Sequence, residues 1–222
     1  MSATASQSQR QETVRDRIRE DASYSNAHLL MNALAATIAS YGLFANSPAV
    51  VIGAMIVAML LGPIVGVSLA LVDSDAKILL KSLLSLLSGV VAVLATAFII
   101  GTVHKDIPIT SEIMARTAPN FLDLMIALAG GVAGAYATVS FRLSLALVGV
   151  AIATALVPPL SSASILLARG EVTLALGALE LAIVNLVAIQ FSASVVLWLT
   201  GFRRVTRTSG QPITNKGDAS LY

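Results

Sequence analysis

Cysteine is absent from the 222 residues. Disulfides and thiolate metal sites are therefore excluded, and redox compartment leaves no trace in the composition. Charge is scarce: Asp, Glu, Lys and Arg together make up 12% of the chain, and the formal net charge is +2. So small an excess gives no basic footprint for nucleic acid, and no nucleic-acid partner is expected. Histidine occurs only twice, as His28 and His104 at distant points of the chain, so no metal centre is expected. The HExxH pair, the phosphate-binding glycine loop and the nucleophile elbow are all missing. Enzyme chemistry has no motif to support it, no catalytic residue is assigned, and no cofactor is expected. Strict two-residue alternation is missing as well, which excludes a closed β-barrel.

What is present is apolar. Hydrophobic residues make up 56% of the chain and the mean hydropathy is +0.85. This is the composition of an all-α integral membrane protein with the lipid bilayer as its first partner. A helix needs about 20 apolar residues to cross the hydrocarbon core. Six stretches approach or exceed that size, at about 27–44, 48–72, 78–101, 122–139, 143–168 and 172–199. The expected organisation is a polar N-terminal segment over 1–25, a first three-helix unit over 26–101, a linker over 102–121, a second three-helix unit over 122–200 and a disordered polar tail over 201–222. Within the first segment Val14, Ile18 and Ala22 recur at a spacing of four. That pattern fits a solvated lead-in helix or one lying on the membrane surface. Because no apolar run follows the basic start directly, a signal peptide is not expected.

The stretch Gly53 to Asp75 recurs without a gap 96 residues later as Gly149 to Glu171. Ile56 meets Ile152, Leu60 meets Leu156, Pro63 meets Pro159, Ser68 meets Ser164 and Leu71 meets Leu167. Matching extends back to Ser40-Tyr41-Gly42, which resembles Ala135-Tyr136-Ala137 with a slip of one residue. Each unit has three spans, an odd number, so the second starts on the opposite side of the membrane. The expected fold is two inverted three-helix repeats with proline-broken second helices. The breaks are placed at Leu61-Gly62-Pro63-Ile64 and Val157-Pro158-Pro159-Leu160. Lysine and arginine set the orientation: with the N-terminus in the cytoplasm, 11 lie inside and three outside. Both termini are therefore expected in the cytoplasm.

Proline removes an amide proton and clashes with the preceding turn. An unpaired backbone group in lipid costs several kcal/mol, so breaks persist where protein, water or a solute satisfies them. Inverted repeats with Gly/Pro-interrupted helices point to a secondary-transporter site. The candidate substrate- or ion-binding residues are Pro63, Pro158 and Pro159 at the breaks, Ser68, Ser161, Ser162 and Ser164 after them, and Glu180 and Asn185 in the sixth span. Glu180 is the one carboxylate well inside a span; it is expected beside the Pro-Pro break, taking up a proton or a cation. Asn185 and Gln190 lie deeper in the same helix. His28 and Asn32 read as interfacial or packing residues. Gly62 with Gly66, and Gly130 with Gly134, sit one turn apart and allow close backbone approach. A homo-oligomer is expected through such faces.

The motifs Val51-Ile52-Gly53-Ala54-Met55, Gly62-Pro63-Ile64, Arg116-Thr117-Ala118-Pro119-Asn120 with Leu122-Asp123-Leu124, and Gly149-Val150-Ala151-Ile152-Ala153 leading to Ala155-Leu156-Val157-Pro158-Pro159-Leu160, together with Asn185, resemble a prokaryotic multi-spanning family known as domain of unknown function 389. The resemblance covers about residues 48–200. It implies a protein of the prokaryotic inner membrane and carries neither substrate nor catalytic residue. The family pattern has proline where this chain has Met59, which implies a milder first break here. From the residues, the expected function is a transporter or channel for a small solute or ion. The competing reading is a structural or regulatory subunit of a membrane complex.

Overall fold

Long apolar runs without strand-forming alternation become helices, and the computed structural model, which describes residues 2–140 and 156–202 (side chains from residue 11), is helical throughout its ordered elements. The helices are α1 (Ser2–Asp21), α2 (Asn26–Phe44), α3 (Pro48–Val57), α4 (Leu61–Asp73), α5 (Ala76–Val103), α6 (Ser111–Met114), α7 (Phe121–Val139), α8 (Val157–Ala168) and α9 (Val172–Leu199). Of these, α2, α5, α7 and α9 are long and apolar enough to cross a membrane, and α3 with α4 makes a fifth candidate, bent by 57°. α5 and α9, at 28 residues each, are about 42 Å long and overreach a 30 Å core. The first half of the expected fifth span, the copied stretch through Ala155, Arg142 and the tail from residue 203 lie outside the described residues.

Local chemistry sets the boundaries. Ser25 caps α2 by accepting from the His28 amide, and Asp75 caps α5 by accepting from Lys77 and Ile78. α2 ends in a turn where Asn46 takes a φ of 53°, a conformation asparagine tolerates, and Pro48 opens α3 in the first turn, where its missing N–H is harmless. Thr110 caps α6, its hydroxyl accepting from the Ile113 amide. Asn120 and Asp123 form a reciprocal capping box at α7: Asn120 Oδ1 accepts from the Leu122 and Asp123 amides, and Asp123 Oδ2 accepts from the Asn120 amide.

The three prolines expected to break helices instead lie in first turns. The first break is Ala58-Met59-Leu60, where Ala58 is extended, and Gly62-Pro63 falls in the first turn of α4. Likewise Pro158 and Pro159 occupy the first turn of α8 after Leu156. A proline there deletes an amide that has no intrahelical acceptor anyway. At the first break the interruption is therefore displaced upstream of the proline, to Ala58, whose φ of −67° and ψ of 138° are extended. With Met59 inside a 57° bend, the first break is not mild.

The core sits where the short helices cross the long ones. α4 packs on α5 and α9; α8 packs on α9 and α5. Leu60 and Leu156, the residues just before α4 and α8, are both buried in one cluster with Ile64, Val157, Leu86 and Ile189. α2 and α7, each 19 residues, flank α5 and α9 respectively. α5 begins at the end of the bundle where α9 finishes, because Arg15 reaches both Asp73 and the Phe202 carbonyl there. The stripe Val14, Ile18 and Ala22 is buried, the first two against Val65, Leu69 and Leu197. α1 is thus docked on the bundle rather than solvated. Gly62 and Gly66 serve this docking, since a Cβ on either would collide with the Asp21 carbonyl or the Ala22 side chain.

Candidate functional site

At the first break, the backbone amide of Met59 has no helical acceptor, and a side chain supplies one. Asn32 of α2, fully buried, accepts from Met59 N–H through Oδ1 at 3.1 Å. Its Nδ2 donates to the His28 carbonyl at 2.9 Å and lies 3.2 Å from His28 Nε2. His28, also buried, places Nε2 3.1 Å from the Ser85 carbonyl of α5. Gly89 leaves the space for this pair: a Cβ there would sit 2.7 Å from His28 Nε2 and 2.9 Å from Asn32 Nδ2. Two residues read as interfacial or packing groups thus hold the break together. Their spacing of four on one helix, which puts both on one face, was the signal available in the sequence.

A cavity of about 300 Å³ lies beside the first turn of α8. Pro159, Leu181 and Asn185 line its inner part, and Glu112, Arg116 and Asp123 line it nearer the α6 end. Glu112 and Arg116 form an ion pair at 3.0 Å, with both side chains largely buried. Asp123 is held by the capping box that starts α7. Asn185 lies 13 residues into α9, about 20 Å along its axis, so the cavity reaches from the bundle end toward the middle of that helix. Two carboxylates face one guanidinium. With prolines at 158 and 159, the α8 N-terminus offers few amide donors, so the usual attraction of a helix N-terminus for anions is weakened.

Of the expected site residues, Pro159 and Asn185 meet in this cavity. Pro158, Ser161 and Ser162 are buried behind it, and the two hydroxyls have no hydrogen-bond partner. Ser164 lines a separate apolar groove between α5, α8 and α9 with Leu94, Phe98 and Leu176. Pro63 and Ser68 are buried on α4. Ser68 is enclosed by protein: its hydroxyl bonds the Ile64 carbonyl and meets the Gln190 side chain of α9 at 2.5 Å. With the Gln190 amide turned so that both its ends are satisfied, it accepts from the Ser68 amide at 2.9 Å and donates to the Ile64 carbonyl at 3.2 Å. Gln190 is therefore a clamp between the two halves.

Glu180 is placed differently from the expectation. It is exposed on the stripe of Leu176, Ile183, Val187 and Phe191, whereas the buried stripe of the same helix carries Ala178, Leu181 and Asn185. The rise along α9 puts Glu180 at a depth similar to the break, but its azimuth turns it away. Glu112, Arg116 and Asp123 were not read as site residues. Two of the three lie in the motif Arg116 to Leu124, which marked the family without suggesting a role.

Residues 55–191 match the family described as Domain of unknown function (DUF389). An uncharacterized protein of the archaeon Methanocaldococcus jannaschii is 36% identical over 178 residues, a match covering 79% of this chain and 54% of the relative. The chain thus corresponds to about half the length of that relative. No solved structure matches it significantly.

Proposed function

From the premise that the chain belongs to the DUF389 family, we propose that it carries a small solute or ion across the membrane through two inverted three-helix units. The correspondence of elements supports the repeat. α2 and α7 have equal length and start 95 residues apart; α5 and α9 have equal length and start 96 apart; α4 and α8 also start 96 apart. Each unit would cross three times, with the stretch expected over about 143–168 as the fifth span, and both termini would lie in the cytoplasm of a prokaryote. The observation that carries the transport reading is the charged cavity leading to Pro159 and Asn185. An aqueous recess beside a helix break is where an inverted-repeat transporter holds its cargo. The balance of Glu112 and Asp123 against Arg116 favours a cation.

A structural or regulatory subunit is the competing reading, favoured by the complete burial of Ser161 and Ser162. Because the chain has no cysteine, single cysteines at Asn185 and Ser161 can be tested with a membrane-impermeant maleimide, using Ser111 as the outside control. Transport requires Asn185→Cys to label from the Ser111 side. It also requires proteoliposomes to show tracer sodium, potassium or proton flux that falls when Glu112 is changed to Gln. Unreactive cysteines in folded protein, with no flux, would leave the subunit reading.

Glu180 enters this picture as an assembly residue. A carboxylate within an apolar lipid-facing stripe costs about 2.5–3.5 kcal/mol on insertion scales, which favours self-association through α9 over exposure to acyl chains.

A further inference from the structure

Under the first break, one ring nitrogen has two neighbours that demand opposite things of it. Backbone groups fix the Asn32 amide, because Met59 N–H can only donate to Oδ1 and the His28 carbonyl can only accept from Nδ2. The second Nδ2 hydrogen therefore faces His28 Nε2 at 3.2 Å, where it needs a lone pair. The Ser85 carbonyl faces the same Nε2 at 3.1 Å, where it needs a hydrogen. A single nitrogen cannot satisfy both, and the protonation state of the ring decides which contact holds.

We propose that His28 is a proton-binding site whose state is passed to the first helix break through Asn32. In the neutral ring protonated at Nδ1, Nε2 accepts from Asn32 and steadies the amide beneath Met59. In the charged ring, Nε2 carries hydrogen and donates to the Ser85 carbonyl. Two N–H groups then oppose each other, Asn32 is pushed from its place, and Met59 N–H loses its acceptor. The freed amide has somewhere to turn, because Met59 lines a cavity of about 130 Å³ with Asp21, Gly62 and Thr138.

Few charged groups surround the ring. α5 contributes Lys77 and Lys81 and α1 contributes Asp21, all exposed, while the one acid of α4 apart from its flanks, Asp73, is committed to Arg15. Among the described residues no carboxylate forms an ion pair with His28. The Ser85 carbonyl also accepts from the Ser88 hydroxyl at 2.7 Å, which keeps it in place in either state. This inference concerns the break itself and stands whether or not a solute passes it.

The chain has only two histidines, so His104→Gln leaves His28 as a single ¹⁵N-imidazole reporter in reconstituted protein. In the same background, Met59→Cys is labelled by a membrane-impermeant maleimide between about pH 5 and 8. Its rate is expressed as a ratio to a Ser23→Cys control, which removes the ordinary pH dependence of the thiol. The expected result is a several-fold rise in the ratio on acidification, with the midpoint of the ring titration, and a flat ratio in His28→Gln. A ring that stays neutral through this range overturns the proposal. So does a ratio that stays flat while the ring titrates, or one that still rises in folded His28→Gln. The first two outcomes are read on the native ring and do not depend on the variant folding.

Discussion

Arg15 and Asp73, 58 residues apart in the chain, form a buried bidentate ion pair: Nε donates to Oδ2 at 3.1 Å and Nη2 to Oδ1 at 3.0 Å. The same Nη2 donates to the Phe202 carbonyl at 2.8 Å, and the guanidinium lies over the Phe202 ring. One arginine thereby joins α1, the end of α4 and the end of α9. Removing one partner strands a buried charge, which costs about 3–5 kcal/mol. Arg15→Ala or Asp73→Ala is expected to lower unfolding stability in detergent by that order and to expose α1 to protease. Replacing both by apolar residues of similar volume should restore most of the loss, as measured in a double-mutant cycle. A double variant as unstable as the singles would mean that the pair itself, rather than relief of stranded charge, holds the contact.

Asp21 offers a pH test at the same end of the molecule. Although the residue is exposed overall, partial desolvation where α1 meets the bundle raises its carboxyl above the ordinary value; Arg17 opposes the rise and Glu20 adds to it. A raised folded pKa means that the folded state binds the proton more tightly than the unfolded one. Stability is therefore highest below the ordinary carboxylate pKa and falls as pH rises through the folded value. Asp21→Asn removes this loss. The difference in melting temperature between the variant and the parent should be near zero at low pH and favour Asn increasingly toward neutrality.

Glycine positions separate close packing from simple composition. A Cβ on Gly131 would collide with the Ser192 hydroxyl and lie 2.8 Å from the Ile189 carbonyl, while a Cβ on Gly53 meets nothing within 4 Å. Gly131→Ala is expected to cost about 1–3 kcal/mol by overpacking α7 on α9. Gly53→Ala should be neutral or slightly stabilising through helix propensity. Denaturant titrations of the two variants, side by side, check this contrast.

Glu180 tests assembly separately from passage. If copies meet through α9, Glu180→Cys should form disulfide-linked dimers in membranes on mild oxidation, and Glu180→Leu should shift the oligomer in size-exclusion chromatography. Labelling of Asn185→Cys should be unchanged, because Asn185 faces the cavity on the opposite side of the helix. Altered labelling without altered assembly would return Glu180 to the cavity.

Much of the architecture was legible because its causes are local. Hydropathy located the long helices, and the spacing of Val14, Ile18 and Ala22 marked a short helix with an apolar face, although its docking on the bundle was not foreseen. The offset between Pro63 and Pro159 reappears in the starts of α4 and α8. The candidate site was less legible. Proline showed that a helix is interrupted, yet the interruption lies before it, and the partner for the freed Met59 amide comes from Asn32, 27 residues earlier. The cavity residues Glu112, Arg116 and Asp123 read only as polar linker and cap.

The sequence by itself determined helix content, apolar character and the recurrence of one pattern, since these depend on composition and short-range periodicity. Tertiary structure alone decided which way each polar group points. Glu180 and Leu181 are adjacent in the chain, but a step of about 100° around a helix sends one outward and the other into the cavity. Likewise Arg15 became a buried lock because Asp73 and Phe202 converge on it, a meeting that no local pattern encodes.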